Sequence, residues 1–261
     1  MRIAEREVVE GVAAGVPFVA VPPGEEAASA GVVAGWHLMD APASERAMAA
    51  ALPMAELTAW RVYFGLPLSG TRLPEGGYDE VFRRASEDAV LNIYAPVTAQ
   101  AADEFPAAVA ELRERLGADG PLGVFGGSAG AAVALEVLAR GDAPIAAGAV
   151  VSPVVQLAPL IAANERRFAV TYSWSERSRA AAARLDFVAR AAELTAPLLL
   201  VVGSDDDIAI REPAAALAAR LGDRAELVTV ESMAHELPPG TPDAVRVDAA
   251  FSEWFARRLR G

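Results

Sequence analysis

The stretch of sequence that decides the fold is LGVFGGSAGAAVALEVL, residues 122–138. Its apolar start predicts a strand and its alanine-rich continuation predicts a helix, with Ser128 at the bend between them. Gly126 and Gly130 stand two residues on either side of Ser128, where so sharp a turn leaves no room for a Cβ atom. Such a turn exposes the Ser128 Oγ and points the first free helix amides, that of Ala129 among them, at any negative charge forming beside it. This arrangement is typical of acyl transfer, and a glycine-rich turn with a solvated serine is the alternative.

The amino-acid composition and net charge of the chain disfavour several classes of protein. No apolar stretch in the 261 residues approaches the roughly 18 needed to span a bilayer, and the first residues carry both charges and no apolar signal segment. We therefore expect a soluble, cytoplasmic protein with no membrane partner. A formal net charge of −12 disfavours a nucleic-acid partner, which requires a cationic face. The chain has no cysteine and only two histidines, so we expect no disulfide, no metal site and no cysteine nucleophile.

Apolar runs of strand length alternate with longer helical patterns, which is typical of a parallel α/β sheet. Strands are predicted at residues 7–12, 16–21, 30–38, 59–66, 122–125, 146–151, 197–202 and 227–230. Helices are predicted at residues 44–52, 104–116, 131–138, 213–221 and 243–260, with a turn at 22–24 and a loop at 67–77. Ser44 is the expected N-cap of the first helix. No repeat or linker interrupts the series, so we expect one domain over residues 1–261.

A nucleophilic serine needs a base, and the only two histidines are His37 and His235. His235 follows the last predicted strand, which places it in a loop at the carboxyl edge of the sheet, where Ser128 also lies. His37 ends an earlier strand at the same edge, but it precedes the nucleophile in the chain. We therefore expect His235 to be the base.

Three consecutive aspartates, residues 205–207, follow the predicted strand 197–202. A buried carboxylate at this place would hold the imidazole in its useful tautomer and stabilise the imidazolium. Any one of the three can also cap the next helix or form a polar turn. A nucleotide-binding loop is disfavoured, because the glycine turn around Ser128 lacks the lysine that such loops use for phosphate.

The order of Ser128, an aspartate among residues 205–207, and His235, each at the end of a strand, resembles that of the α/β-hydrolases of the esterase and dienelactone-hydrolase kind. The resemblance extends from about Val16 to the last helix. It implies the α/β-hydrolase fold, with a mostly parallel central sheet, helices on both faces and a small cap after the sixth strand, at about residues 153–194. In that family the acid stands three residues after the strand-ending glycine, which implies Asp206, with Asp207 second.

The resemblance also concerns the loop after the third strand, where the family usually carries His-Gly so that a backbone amide can meet the oxyanion. This chain has Trp36-His37-Leu38-Met39 instead. The loop is still expected to donate an amide beside that of Ala129, and Leu38 and Met39 share this role. His37 is then expected to shape the loop or to touch the substrate.

The resemblance implies a serine hydrolase that needs no cofactor and cleaves small to medium carboxylic esters through an acyl-enzyme. Its partner would be a small-molecule ester, and the oligomeric state is left open. The same residues suit a thioesterase, lactonase, peptidase, carbon–carbon hydrolase or haloperoxidase-like enzyme, and a hydrolase-fold binding protein is the alternative outside the enzymes. In the cap segment, Phe168 and Trp174 are candidate pocket residues for an apolar group, although both equally suit inward packing.

Overall fold

The computed structural model of the protein describes residues 8–23 and 30–259. The strands within these residues are β1 (Val9–Ala13), β2 (Val16–Val21), β3 (Val32–Trp36), β4 (Trp60–Phe64), β5 (Leu122–Gly127), β6 (Ile145–Val151), β7 (Leu198–Gly203) and β8 (Ala225–Val230). The helices are α1 (Glu45–Ala51), α2 (Gly77–Ala89), α3 (Ala95–Leu116), α4 (Ala129–Arg140), α5 (Leu157–Phe168), α6 (Glu176–Arg184), α7 (Ile208–Leu221) and α8 (Pro242–Arg258). A π-helical turn, Val90–Tyr94, joins α2 to α3.

The strands form one eight-stranded sheet in the order β1-β2-β4-β3-β5-β6-β7-β8. The pairs β1–β2 and β2–β4 are antiparallel. The other neighbours, from β4 across to β8, are parallel. This mostly parallel sheet with helices around it confirms the predicted α/β-hydrolase fold.

Two apolar cores lie on opposite faces of the sheet, because alternate side chains of a strand point to opposite faces. In β3, Val32 and Ala34 belong to the core that contains residues of α3, α4 and α7. Val33 belongs to the other core, with residues of α1 and α8. The carboxyl ends of the parallel strands therefore meet at one edge of a sheet that is covered on both sides.

Several element boundaries differ from the predictions. The helix expected from residue 104 begins at Ala95, and the helix expected from residue 213 begins at Ile208. Helix α2 was not predicted, because it is charged on most sides and only Val81 is buried. Ser44 does cap α1, since its side chain accepts a hydrogen bond from the Ala47 amide. Parts of three predictions, residue 7, residue 24 and residue 260, lie outside the described residues.

Helices α5 and α6 lie between β6 and β7, in the stretch expected to form the cap. Hydrogen bonds join this stretch to the rest of the molecule: the Tyr172 hydroxyl donates to Asp88, and the Arg190 guanidinium donates to Glu136 of α4. No helix in the described part of the chain combines the length and the apolar character needed to cross a membrane.

Candidate active site

Ser128 occupies a strained turn between β5 and α4, with φ of +50° and ψ of −115°. The glycines on either side permit the turn. A Cβ on Gly126 would lie 2.2 Å from the carbonyl oxygen of Gly130, and a Cβ on Gly130 would lie 2.4 Å from that of Trp36. The amide of Ser128 donates to the carbonyl of Val151 at 3.0 Å, which ties the turn to the end of β6. The serine is thus held at the carboxyl edge of the sheet, as the glycine spacing predicts.

The structure brings Ser128, His235 and Asp206 together. The Nε2 atom of His235 lies 2.9 Å from the Oγ of Ser128. Its Nδ1 atom lies 3.0 Å and 3.1 Å from the two carboxylate oxygens of Asp206. Because a carboxylate only accepts hydrogen bonds, Nδ1 carries the proton and donates to Asp206, which leaves Nε2 free to accept from the serine hydroxyl. This tautomer suits His235 for taking the proton of Ser128.

The three neighbouring aspartates have different surroundings. The Asp206 side chain is buried, and its Oδ1 also accepts from the Asp207 amide at 2.7 Å. Asp207 caps α7 by accepting from the Ala209 amide at 2.8 Å, and Asp205 is exposed and accepts from Ser204. Asp206 is the one of the three that contacts His235, while the capping alternative describes Asp207.

The pKa of His235 is raised above the ordinary value of 6.5. Burial of the imidazole lowers the pKa, but the hydrogen bond and the charge of Asp206 raise it, and the carboxylates of Asp40 and Glu236 add to the rise. The raising contributions together outweigh the burial, since each carboxylate stabilises the imidazolium form. Such a base is well suited to holding the proton that leaves a serine hydroxyl.

Of the two residues expected to share the oxyanion role with Ala129, only one lines the cavity that contains Ser128. Ala129, at the first turn of α4, and Met39 both line it. Leu38 is fully buried in the core, and its side chain fills the space beside Gly127 that a Cβ would occupy. Met39 therefore lies nearer the reaction space than Leu38 does.

His37 is not a pocket residue. It is fully buried, its Nδ1 donates to the carbonyl of Leu38 at 2.6 Å, and its Nε2 accepts from the amide of Leu66 at 3.0 Å. Burial lowers the pKa of His37 to about 4, so the imidazole is neutral at physiological pH. Of the two roles expected for His37, these contacts favour shaping the loop, since His37 does not line the cavity that contains Ser128. Both ring nitrogens serve to fix the loop after β3 to the segment after β4.

The cavity above Ser128 has a volume of about 330 Å³. Its walls come from the loop after β3, the turn before α3, the first turn of α4, helix α5, and the loops that carry Asp206 and His235. The described residues that line it are Met39, Asp40, Tyr94, Ser128, Ala129, Val154, Leu160, Ala163, Asn164, Arg167, Asp205, Asp206, Asp207, Ile210, Ala234, His235 and Glu236. A cavity of this size accommodates a small ligand with a few polar contacts.

The two aromatic residues predicted for this pocket lie elsewhere. Phe168 ends α5 with 60% of its surface exposed, and the Arg167 guanidinium lies over its ring. Trp174 lines a separate groove beside α6 and packs edge-to-face on Tyr172. Neither lines the cavity that contains Ser128, because aromatic character does not tell which side of the cap a side chain faces.

Asp40, Tyr94 and Asn164 are among the polar residues of the cavity that were not predicted as site residues. A signal for Tyr94 exists in the sequence, because Tyr94, Val97, Ala101 and Phe105 recur at helical spacing and extend the pattern of α3 toward its start. Asp40 directly follows Met39. Among the described residues, no group of three or more histidine or carboxylate side chains is arranged to hold a metal ion.

The profile of the Prolyl oligopeptidase family matches residues 92–261, about two thirds of the chain, and this match includes Ser128, Asp206 and His235. The chain belongs to the prolyl oligopeptidase family. No curated protein sequence is similar enough to count as a relative.

Solved structures with the same fold extend the comparison beyond the region of the prolyl oligopeptidase profile. The Thermus thermophilus protein TT1662 is 21% identical, with a TM-score of 0.70 and coverage of 98% of both chains. Dienelactone hydrolase from Anabaena variabilis is 19% identical, with a TM-score of 0.63 over 98% of this chain and 100% of its own. Carboxyl esterase 2 from Tuber melanosporum is 18% identical, with a TM-score of 0.63 over 100% of this chain and 89% of its own. At these identities the similarity shows the fold, which is that of the α/β-hydrolases.

Proposed function

We propose that this protein is a serine hydrolase that cleaves carboxylic esters of small to medium size through an acyl-enzyme. The observation that carries the proposal is the continuous hydrogen-bonded series from Ser128 through His235 to Asp206. Membership of the prolyl oligopeptidase family supports serine-dependent hydrolysis. The cavity of about 330 Å³ supports a small ester over a long lipid.

In the first half of the reaction, Ser128 Oγ attacks the ester carbonyl while His235 Nε2 takes the hydroxyl proton. The carbonyl oxygen becomes an oxyanion, which the Ala129 amide and an amide of the loop after β3 stabilise. We assign the loop amide to Met39, because Met39 lines the cavity and Leu38 does not. His235 then gives its proton to the departing alcohol oxygen, and the acyl group stays on Ser128.

In the second half, water takes the place of the alcohol. His235 removes a proton from the water as its oxygen attacks the acyl carbon, and the same amides hold the second oxyanion. The proton then returns to Ser128 Oγ as the carboxylic acid leaves. Throughout, Asp206 accepts the Nδ1–H bond and stabilises the imidazolium that forms in each half.

Peptide cleavage is the second candidate, and the family assignment favours it. The same residues serve an amide, except that the leaving nitrogen must be protonated by His235 before it departs. A matched pair of substrates separates the two candidates: the p-nitrophenyl ester and the p-nitroanilide of the same acyl group. We expect the ester to be hydrolysed and the anilide to be hydrolysed far more slowly, and equal specificity for both would favour a peptidase.

The test of the catalytic serine is Ser128→Ala. We expect turnover of p-nitrophenyl butyrate to fall by about 10⁶-fold, toward the uncatalysed rate, because the nucleophile and its base act as a unit. Labelling by a fluorophosphonate probe should also disappear, and the circular dichroism spectrum should be unchanged. Full activity or full labelling in this variant would refute the assignment.

Ser152→Ala is the matched control. Ser152 directly follows the neighbouring strand β6, is fully buried, and has an Oγ without a hydrogen-bond partner among the described residues. No base activates this hydroxyl, so we expect labelling and turnover to persist in the variant. Loss of both activities in Ser152→Ala with Ser128 intact would contradict the proposed role of Ser128.

A further inference from the structure

Tyr94 is a polar residue of the cavity that the proposed reaction does not use. It ends the π-helical turn Val90–Tyr94, and it lines the cavity together with Ser128 and His235. Single π-helical turns within helices occur frequently at functional sites, where they shift a side chain away from the regular helical register. The contacts of the Tyr94 phenol therefore bear on what the cavity binds.

The phenol oxygen of Tyr94 has a partner for its acceptor role, but its proton has none among the described residues. The side-chain amide of Asn164, on α5, lines the same cavity and lowers the pKa of the phenol, as an amide N–H directed at the phenol oxygen does. A phenol also has one proton to donate. Within residues 8–23 and 30–259, no hydrogen bond uses that proton. The Tyr94 hydroxyl is therefore a free donor in the cavity.

The hydroxyl keeps its proton at neutral pH. Burial of the phenol raises the pKa of Tyr94 most; Asn164 lowers it by less than burial raises it, and the negative charge of Asp40 adds a further rise. The nearby Asp40 carboxylate also repels a negatively charged ligand group. The chemical partner that fits this donor is a neutral acceptor, of which a carbonyl oxygen is the simplest.

The rest of the cavity wall combines charged side chains, among them Arg167 and Glu236, with an apolar part. Val154, Leu160, Ala163 and Ile210 line the same cavity. In a ligand pocket, the polar groups of the wall fix the orientation of the ligand and provide its selectivity. A substrate that leaves a buried donor unpaired binds less well than one that satisfies it.

We propose that the Tyr94 hydroxyl, held by Asn164, donates a hydrogen bond to a neutral carbonyl oxygen of the substrate other than the scissile one. The preferred substrates are then esters that carry a second carbonyl group, such as a ketone or an amide. This assignment rests on the proposed ester hydrolysis and makes Tyr94 a determinant of specificity.

The test compares two esters of equal chain length, p-nitrophenyl 5-oxohexanoate and p-nitrophenyl hexanoate. For the wild-type protein we expect kcat/KM for the oxo ester to exceed that for the alkyl ester by about 5- to 10-fold, as one additional hydrogen bond allows. In Tyr94→Phe this ratio should fall to about one, and the change should appear mainly in KM. Asn164→Asp should lower the ratio as well, because a carboxylate at this place accepts the phenol proton.

Tyr172→Phe is the matched control, since it removes a tyrosine hydroxyl that donates to Asp88 outside the cavity. The ratio should keep its wild-type value in this variant. An unchanged ratio in Tyr94→Phe would overturn the proposal, and so would an equal loss on both esters, which would place the phenol at the scissile carbonyl. If the wild-type protein hydrolyses neither ester, nor is labelled by a fluorophosphonate, the proposed function fails and the substrate assignment fails with it.

Discussion

At the scale of single residues, the charge around His235 sets the pH range of the proposed reaction. Its raised pKa means that the imidazole holds a proton at pH values above 6.5, and an imidazolium cannot accept the proton of Ser128. The kcat/KM should therefore fall as the pH falls through a value above 6.5. Glu236→Gln removes one of the carboxylates that raise this pKa, so the fall should move to lower pH in that variant.

The pH profile of p-nitrophenyl ester hydrolysis measures this shift. Glu231→Gln is the control, because Glu231 is exposed on the same loop and is not among the carboxylates that act on His235. In about 1 M salt, where the Debye length is about 3 Å, the wild-type and Glu236→Gln profiles should approach each other. A Glu236→Gln profile that moves to higher pH, or not at all at low salt, would contradict this account.

The role of a residue could be predicted where its spacing along the sequence determines that role. It could not be predicted where the role depends on the direction of the side chain in the fold. The position of Ser128 follows from the two glycines, whereas Asp206 was implied by the resemblance to the α/β-hydrolases, with Asp207 second. The three aspartates look alike in the sequence, and only the fold shows that Asp207 caps a helix while Asp206 turns toward His235. The two roles expected for His37 could not be separated for the same reason, because a buried histidine and a pocket histidine share one sequence pattern.

At the scale of elements, the close packing of α4 on β3 depends on Gly130. An added Cβ there would lie 2.4 Å from the carbonyl oxygens of both Trp36 and His37, and neither backbone atom can move without displacing its element. We expect Gly130→Ala to destabilise the protein by about 1–3 kcal/mol and to lower turnover strongly, since α4 carries the Ala129 amide. Urea unfolding and kcat for a p-nitrophenyl ester measure the two effects.

Gly141→Ala separates this packing effect from the general cost of replacing a glycine. Gly141 ends the same helix with φ of +65°, and no atom lies within 4 Å of the place of its Cβ. Its replacement should cost about 1–2 kcal/mol through the left-handed backbone alone and should leave turnover intact. Similar losses of turnover in the two variants would show that the contact with β3 is not what positions α4.

The elements that were predicted correctly are those whose own residues determine them. The strands of the parallel sheet are continuous apolar runs, which can be recognised without any knowledge of their neighbours. Helix α2 lacks such a pattern and carries ion pairs of Glu80 with Arg83 and Arg84 along its surface. The start of α7 depends on one side chain, Asp207, so the apolar pattern alone placed it at Pro213.

At the scale of the whole molecule, one sheet separates two cores and joins them through its strands. Neighbouring residues of a single strand, such as Val32 and Val33, belong to different cores, so neither core can lose its packing while the strand stays in place. The stretch of α5 and α6 is joined to the rest by the bonds of Tyr172 to Asp88 and Arg190 to Glu136. We propose on this basis that residues 1–261 form one domain that unfolds in a single transition.

Equilibrium urea unfolding followed by circular dichroism and by tryptophan fluorescence tests this proposal. Coincident transitions are expected for one cooperative unit. Trp174 lies in the cap stretch, whereas Trp36 and Trp254 are buried in the two cores, so the difference between the wild-type and Trp174→Phe fluorescence curves reports on the cap alone. This difference curve should have the same midpoint as the circular dichroism curve. A lower midpoint would mean that the cap unfolds before the sheet, and residues 153–194 would then form a separate cooperative unit.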